Sequence, residues 1–97
     1  MYNLTSSIEF DPEKSAKNLR ERGIGFDRFA DLDLDAAFIV EDTRRDYGER
    51  RTRVFGHIDG QLHAVVITMR GDNIRVISLR RANEREEREY AKARQSP

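Results

Sequence analysis

The stretch that decides the fold runs from Glu49 to Arg81 and contains three strand-like runs separated by two turns. In order these are RTRVFGHI (51–58), DG (59–60), QLHAVVITM (61–69), RGDN (70–73) and IRVISLRR (74–81). The pair Asp59-Gly60 accepts positive φ at both positions, and such a pair between alternating apolar runs is a strong signal for a β-hairpin. The stretch therefore predicts a meander of three antiparallel strands.

The two turns also predict the register of the meander, because each has an even number of residues. The expected opposite pairs are Ile58–Gln61, Val54–Val65, Arg51–Thr68, Thr68–Arg75 and Met69–Ile74. Side chains alternate between the two faces of a strand, so each residue is assigned to a face by its position. One face is then a core of Val54, Gly56, Ile58, Val65, Ile67, Met69, Ile74 and Val76, and on the same alternation it also receives His63, Ser78 and Arg80. The opposite face receives Arg51, Arg53, Phe55, His57, Val66, Thr68, Arg75, Ile77, Leu79 and Arg81.

Three arginines, Arg51, Arg53 and Arg75, converge at one end of that second face, and we expect no carboxylate among them. Like charges that are adjacent on a sheet destabilise it, so their convergence suggests that they bind an anion from outside the chain. The alternative is a solvated face on which the arginine stems cover apolar surface.

Composition limits the classes of protein to which the chain can belong. A chain of 97 residues forms one small domain, and with 37% hydrophobic and 37% charged residues its core is lean. Without cysteine it has neither disulfides nor a thiolate metal site. We find neither a signal peptide nor an apolar run long enough to span a membrane, so we expect a cytoplasmic protein.

The net charge of zero hides an asymmetry along the chain. Residues 1–42 hold five Lys or Arg against ten Asp or Glu, whereas residues 43–97 hold thirteen against eight. A basic second half is what a polyanion-binding surface requires. The same asymmetry also fits an acidic half and a basic half that attract each other within one fold.

The flanking segments predict helices. Asp11 is a helix N-cap followed by Pro12, and the helix runs to Arg22 and ends at Gly23, with its inward contacts made by Ala16 and Leu19. We expect a second, short helix after Asp27 and a strand at 36–40. A C-terminal helix begins at Asn83, which forms a capping box with Glu86 and could hold Tyr90 over the sheet. The predicted domain is 8–94, between a loose extension at 1–7 and a tail at 95–97.

Four segments resemble the BrnT family, the toxins of bacterial type II toxin–antitoxin pairs, which have a RelE-like ribonuclease fold. They are EFDPEKSAKNL (9–19), ERRTRVFG (49–56), RGDNIRVISLRRA (70–82) and EREEREY (84–90). The third is the most specific, since relatives typically read R-G-D-x-I-R-I-I-S-A-R-x-A there. The chain departs from the family pattern where Leu79 replaces Ala and Arg22 replaces a frequent His.

The resemblance implies an α+β fold, with a RelE-like antiparallel sheet, N-terminal helices and a C-terminal helix. It implies a metal-independent endoribonuclease that cleaves mRNA by attack of the ribose 2′-OH, requires no cofactor and inhibits translation. The implied partner is a BrnA-like antitoxin of the ribbon-helix-helix type that masks the basic face, and DNA is contacted only through it. The alternative is a catalytically inactive module of the same fold that acts as antitoxin partner and co-repressor.

The resemblance also implies a set of site residues. Fixed guanidinium groups suit the stabilisation of phosphorane charge, because they are always ionised and bind phosphate oxygens in pairs. Glu49 is the candidate proton acceptor, although it could equally form an ion pair with Arg51 or Arg53. We expect His57 and His63 to be satisfied sheet histidines, and Phe55 to be a core residue more readily than a base-stacking platform. The predicted catalytic residues are Glu49, Arg51, Arg53, Arg75, Arg80, Arg81 and Tyr90.

Overall fold

The computed structural model describes residues 7–95, which form a five-stranded mixed sheet with helices. The elements are β1 (Ile8–Glu9), α1 (Pro12–Arg22), a 3₁₀ helix (Phe26–Asp31), β2 (Phe38–Glu41), β3 (Thr52–Ile58), β4 (Gln61–Arg70), β5 (Asn73–Arg81) and α2 (Glu84–Gln95). The strand order is β1-β5-β4-β3-β2. The α+β class is confirmed, but the sheet is not purely antiparallel, because β1 runs parallel to β5.

The predicted meander is β3, β4 and β5. Asp59 and Gly60 both have positive φ, 52° and 79°, as a two-residue hairpin turn of this kind requires. The predicted pairs Ile58–Gln61 and Val54–Val65 are observed, and so are Thr68–Arg75 and Met69–Ile74 across the second turn. That turn is tighter than predicted, because Arg70 already pairs with Asn73.

A β-bulge in β5 changes the second half of that strand. Ile67 pairs with Val76 while its neighbour Val66 pairs with Ser78, so Ile77 is an extra residue. One extra residue inverts the alternation of every side chain beyond it. The predicted faces are therefore wrong from Ser78 onwards: Leu79 lies in the core, 1% exposed, and Ser78 and Arg80 lie opposite the core, while Arg81 takes the core-side face.

The main core lies between one face of the sheet and the segment formed by α1 and the 3₁₀ helix. Its buried residues are Ile24, Phe26, Phe29, Leu32, Val54, Ile58, Val65, Ile67, Ile74, Val76 and Leu79. A smaller cluster on the opposite face, of Phe55, Leu62 and Ala64, packs against Ala82 and Tyr90. The second cluster lies where α2 crosses the sheet, so α2 covers part of the face that carries the arginines.

Helix α1 has the predicted bounds but not the predicted contacts. Asp11 caps it by accepting from the backbone N–H of Glu13, and Gly23 ends it with φ of 78°. Its inward residues are Ser15 and Asn18, whereas Leu19 is 56% exposed and Ala16 is also exposed. Predicting the anchors from hydrophobicity alone was therefore wrong, because this helix docks through side-chain hydrogen bonds to backbone groups.

Those hydrogen bonds connect α1 to the core layer. Ser15 Oγ accepts from the N–H of Phe26 at 2.9 Å. The Asn18 side-chain amide donates to the carbonyls of Ile24 at 2.8 Å and Leu79 at 2.9 Å. Leu79 lies on the stretch of β5 beyond its pairing with β1, so Asn18 satisfies a carbonyl on that edge of the strand.

The predicted boundaries of the domain are only partly within the described residues. The carbonyl of Ser7 accepts from the N–H of Ile74, so contact with the sheet begins at least one residue before 8. Helix α2 continues to Gln95, one residue into the predicted tail. Residues 1–6, 96 and 97 lie outside the described part. None of the described helices has the length and apolar character needed to cross a membrane.

Candidate functional site

The sheet face opposite the main core carries most of the predicted site and is called the arginine face below. Arg53 pairs with Val66 in the register, Arg75 with Thr68, and Arg80 with Ala64, so all three share this face, and Arg51 precedes β3 in the same alternation. Arg81 is instead paired with His63. It lines a separate pocket of about 210 Å³ on the core-side face together with Arg22, Arg28 and His63.

Carboxylates are present among the arginines, and the expectation that there would be none was wrong. Its error was to consider only the residues of the three-stranded meander, whereas the acidic partners come from β1, from the loop before β3, and from α2. The ion pairs are Arg75–Glu9, Arg44–Asp42, Arg51–Glu49, Arg70–Glu49, Arg53–Glu86 and Arg80–Glu86. Six guanidinium groups share four carboxylates, which leaves this surface with an excess of two positive charges.

The outer end of the arginine face is organised by Glu49 and Glu9. Glu49 accepts from Arg51 at 3.0 Å and from Arg70 at 3.4 Å, so the expected ion pair with Arg51 forms. The Arg51 guanidinium also lies 4.4 Å from the centre of the Tyr47 ring, a cation–π contact. Glu9 accepts from the side chains of Asn73 and Arg75, and these hydrogen bonds lower the pKa of its carboxyl group.

The inner end is organised by Glu86 of α2. Arg80 donates from Nη1 and Nη2 to its two carboxylate oxygens at 2.8 and 2.9 Å, and Arg53 Nη2 lies 3.7 Å away. The hydrogen bonds from Arg80 lower the pKa of Glu86 to about 2. Glu86 is 4% exposed and also forms the predicted capping box with Asn83, in which each accepts from the backbone N–H of the other. One carboxylate therefore joins the helix cap to two sheet arginines.

A pocket of about 170 Å³ opens beside these arginines and is called the arginine pocket below. It is lined by Arg44, Arg53, Phe55, Ala64, Val65, Val66, Ser78 and Arg80. Arg44 was absent from the predicted site, although the polar loop that contains it adjoins the first strand. Its position in the pocket depends on the path of that loop, which has no periodicity from which a contact could be predicted.

Arg44 is held in place by a buried carboxylate. It donates from Nε and Nη2 to the two oxygens of Asp42, both at 2.8 Å, and Tyr47 donates its hydroxyl proton to the same carboxylate at 3.0 Å. The Asp42 side chain is fully buried. The hydrogen bonds from Arg44 hold the pKa of Asp42 well below its usual range and raise that of Arg44.

Tyr90 lies over the sheet, where the C-terminal helix was expected to hold it. Its hydroxyl donates to the carbonyl of Ala36 at 2.7 Å, and its ring packs edge-on against His57, with centroids 5.3 Å apart. The hydroxyl is thus directed to the loop before β2 and not into the arginine pocket. His63 is buried and shares a 2.7 Å hydrogen bond with the carbonyl of Gln61, which makes it a satisfied sheet histidine as predicted.

Phe55 is part of the core cluster under α2 and is not a free stacking platform. It is buried between the Arg53 guanidinium, 4.9 Å from its ring centre, and the stacked ring of Phe38. Within residues 7–95 no group of three or more His, Asp or Glu side chains is arranged to hold a metal ion.

The chain matches the model of a known protein family. The family model described as the ribonuclease toxin BrnT of type II toxin–antitoxin systems matches residues 10–86, which is most of the chain. The match begins just after β1 and includes α1, the whole meander and the start of α2, and hence every predicted site residue except Tyr90. A search of curated proteins gives no match.

Proposed function

Because the chain belongs to the BrnT family of ribonuclease toxins of type II toxin–antitoxin systems, we propose that it cleaves messenger RNA and thereby inhibits translation. The family supplies the general activity, a ribonuclease, and the general partners, an RNA substrate and an antitoxin. What we add is a reaction without a metal ion, in which the ribose 2′-OH attacks the adjacent phosphorus at the arginine face.

The observation that carries this proposal is the excess of guanidinium over carboxylate on one face of the sheet. Attack of the 2′-OH builds negative charge on the phosphorane oxygens, and preorganised cations lower the free energy of that transition state. Arg51, Arg53, Arg75 and Arg80 lie on strands or at a strand end, where the sheet fixes their backbones. Their charge does not depend on pH in the physiological range.

Proton transfer is assigned to Glu49 and, with a change of position, to Tyr90. Glu49 is the carboxylate nearest the outer arginines, and its ion pairs with Arg51 and Arg70 orient it without burying it completely. It would accept the 2′-OH proton. Tyr90 could protonate the departing 5′-oxygen only after its hydroxyl leaves the carbonyl of Ala36.

The antitoxin is proposed to be a ribbon-helix-helix protein that covers the arginine face. A partner that supplies carboxylates to a surface with surplus positive charge gains electrostatic complementarity and excludes RNA from the same surface. DNA contacts of the complex would then be made by the antitoxin. We propose that both proteins act in the cytoplasm, where messenger RNA is translated.

The experiment uses the purified chain, single-stranded RNA and EDTA. We expect cleavage that leaves 2′,3′-cyclic phosphate ends, and a decrease of about 10²–10³ in rate for Arg53→Ala, the typical effect of removing one electrostatic donor. Arg81→Ala is the matched control, because Arg81 lies on the other face of the sheet. Cleavage that requires a divalent cation, or equal loss in both variants, would contradict the proposed mechanism.

A second candidate function is an inactive member of the family that serves only as antitoxin partner and co-repressor. The observation that favours it is that Arg51, Arg53, Arg75 and Arg80 each have a carboxylate within 4 Å in the same chain. Expression without antitoxin separates the two functions. Growth arrest that Arg53→Ala abolishes in a folded protein supports the ribonuclease, whereas an inert parent protein supports the binding module.

A further inference from the structure

We propose that the arginine pocket, between Arg44, Arg53 and Arg80, is the binding site for one phosphodiester of the RNA strand. The identity of the ligand, RNA, rests on the proposed function. The site includes one arginine that is not on a strand, and it lies at one defined place on the arginine face. The new residue is Arg44, from the loop between β2 and β3. The location is the pocket that Arg53 and Arg80 line and Glu86 does not.

The charges around the pocket match a monoanion. Three guanidinium groups line it, and their two carboxylates, Asp42 and Glu86, lie outside the lining. The local excess is therefore one positive charge, equal and opposite to that of one phosphodiester. The rest of the lining includes Ala64 and Val66, and apolar walls strengthen the attraction between the remaining donors and an anion.

The guanidinium groups retain unused hydrogen-bond donors. Arg53 donates no hydrogen bond within the described residues, its nearest carboxylate oxygen being 3.7 Å away, although its side chain is only 24% exposed. Arg44 uses Nε and one donor of Nη2 on Asp42, which leaves three of its five N–H groups. Phosphate oxygens are acceptors suited to such paired donors.

Arg44 is also preorganised to bind. Asp42 fixes its guanidinium through two hydrogen bonds, and the Tyr47 hydroxyl fixes Asp42. A cation that is already ordered loses little conformational entropy when the ligand arrives. The pocket volume of about 170 Å³ is about ten times the roughly 10–15 Å³ that a cavity needs to hold one water molecule, so it has space for a phosphate group.

The first experiment follows the arginine side-chain N–H signals of the unaltered chain by NMR while inorganic phosphate is added. We expect the signals of Arg44, Arg53 and Arg80 to shift together with one dissociation constant. Shifts confined to the outer arginines, such as Arg51 and Arg75, would overturn the assignment. This measurement needs no variant, so it does not depend on whether a substitution is tolerated.

The second experiment measures binding of a 2′-O-methylated RNA oligonucleotide, which cannot be cleaved through a 2′-OH. Arg44→Ala is expected to weaken binding by about 10-fold to 100-fold, the range for one hydrogen-bonded charged group. Arg45→Ala is the matched control, because it removes the same charge from the same loop but Arg45 does not line the pocket and instead contacts Tyr47. Equal weakening by the two variants would overturn the site.

The two proposals fail separately in these assays. If the methylated oligonucleotide binds through Arg44 but RNA is not cleaved, the phosphate site stands and the proposed ribonuclease activity is refuted. The opposite result is RNA cleavage with no shift of the pocket arginine signals on adding phosphate and no effect of Arg44→Ala on oligonucleotide binding. That result would refute the phosphate site but leave the ribonuclease activity standing.

Discussion

Substitution of Glu86 by Gln tests whether one buried carboxylate holds α2 on the sheet. The side chain is 4% exposed, and Arg80 lowers the pKa of its carboxyl group from the ordinary 4.5 to about 2. At about 1.4 kcal/mol per pKa unit, this difference corresponds to about 3 kcal/mol of stability at neutral pH. Gln preserves the volume and can still accept from the N–H of Asn83, so the capping box survives. Because Arg80 is one-third exposed and regains water, we expect a loss of about 2–3 kcal/mol.

The pH dependence of this loss has a defined sign. A carboxyl group whose pKa is lower in the folded state contributes its full stabilisation above its unfolded pKa, and this contribution disappears as the pH falls through the folded pKa. The difference in free energy of unfolding between the parent chain and Glu86→Gln should therefore be constant near pH 7 and shrink below about pH 4.5. Urea unfolding followed by far-UV circular dichroism at several pH values measures it.

Glu89→Gln provides the control for this measurement. It removes the same charge from the same helix, but Glu89 is exposed and its ion pair with Arg85, at 3.4 Å, lies on the surface. Such pairs contribute about 0–1 kcal/mol. If Glu86→Gln costs no more than Glu89→Gln, or if its cost does not decrease with falling pH, the carboxylate of Glu86 does not hold α2 as described.

Three further predictions concern packing and partners. Gly56→Ala should destabilise the fold by about 1–3 kcal/mol in urea unfolding, because the new Cβ would clash with the buried side chain of Leu32. An unchanged midpoint would mean that Leu32 can move aside without cost. Asn18→Ala should lower the free energy of unfolding by about 1–3 kcal/mol, because two hydrogen bonds are lost. Leu19→Ala should change it by no more than about 0.5 kcal/mol, because Leu19 is exposed. The opposite order would mean that α1 packs through the face predicted from hydrophobicity. Addition of the antitoxin should raise the melting temperature of the chain, because a partner that binds only the folded state stabilises it by mass action. Identical melting curves with and without antitoxin would contradict this stabilisation.

The sequence by itself determined the meander and the first helix. Asp59-Gly60 accepts positive φ at both positions, and that local requirement fixes the register of β3 and β4 without information from elsewhere. Asp11, Pro12 and Gly23 fix the ends of α1 in the same local way. The alternation of side chains assigns residues to the arginine face correctly as far as Val76. The ribonuclease activity was inferred from the family resemblance.

The bulge at Ile77 had a signal in the sequence that alternation alone does not use. Continuing the register past Val76 would bury Ser78 and Arg80 and expose Leu79, whereas one extra residue exchanges them. Burying an unpaired charge is costly, so the register that keeps Arg80 out of the core is preferred. A comparison of the residues that each register buries therefore predicts the bulge.

The distribution of charge on the arginine face was decided only by the tertiary structure. Glu9 reaches Arg75 from β1, and Glu86 reaches Arg53 from α2, so these partners are far apart along the chain. The pair of Asp42 with Arg44 is by contrast local, since the two residues belong to the same loop. Ion pairs between distant segments depend on how the elements pack, and no local propensity or periodicity encodes them. For the same reason the sequence determined that arginines gather on one face, whereas only packing decided which of their donors remain for a ligand.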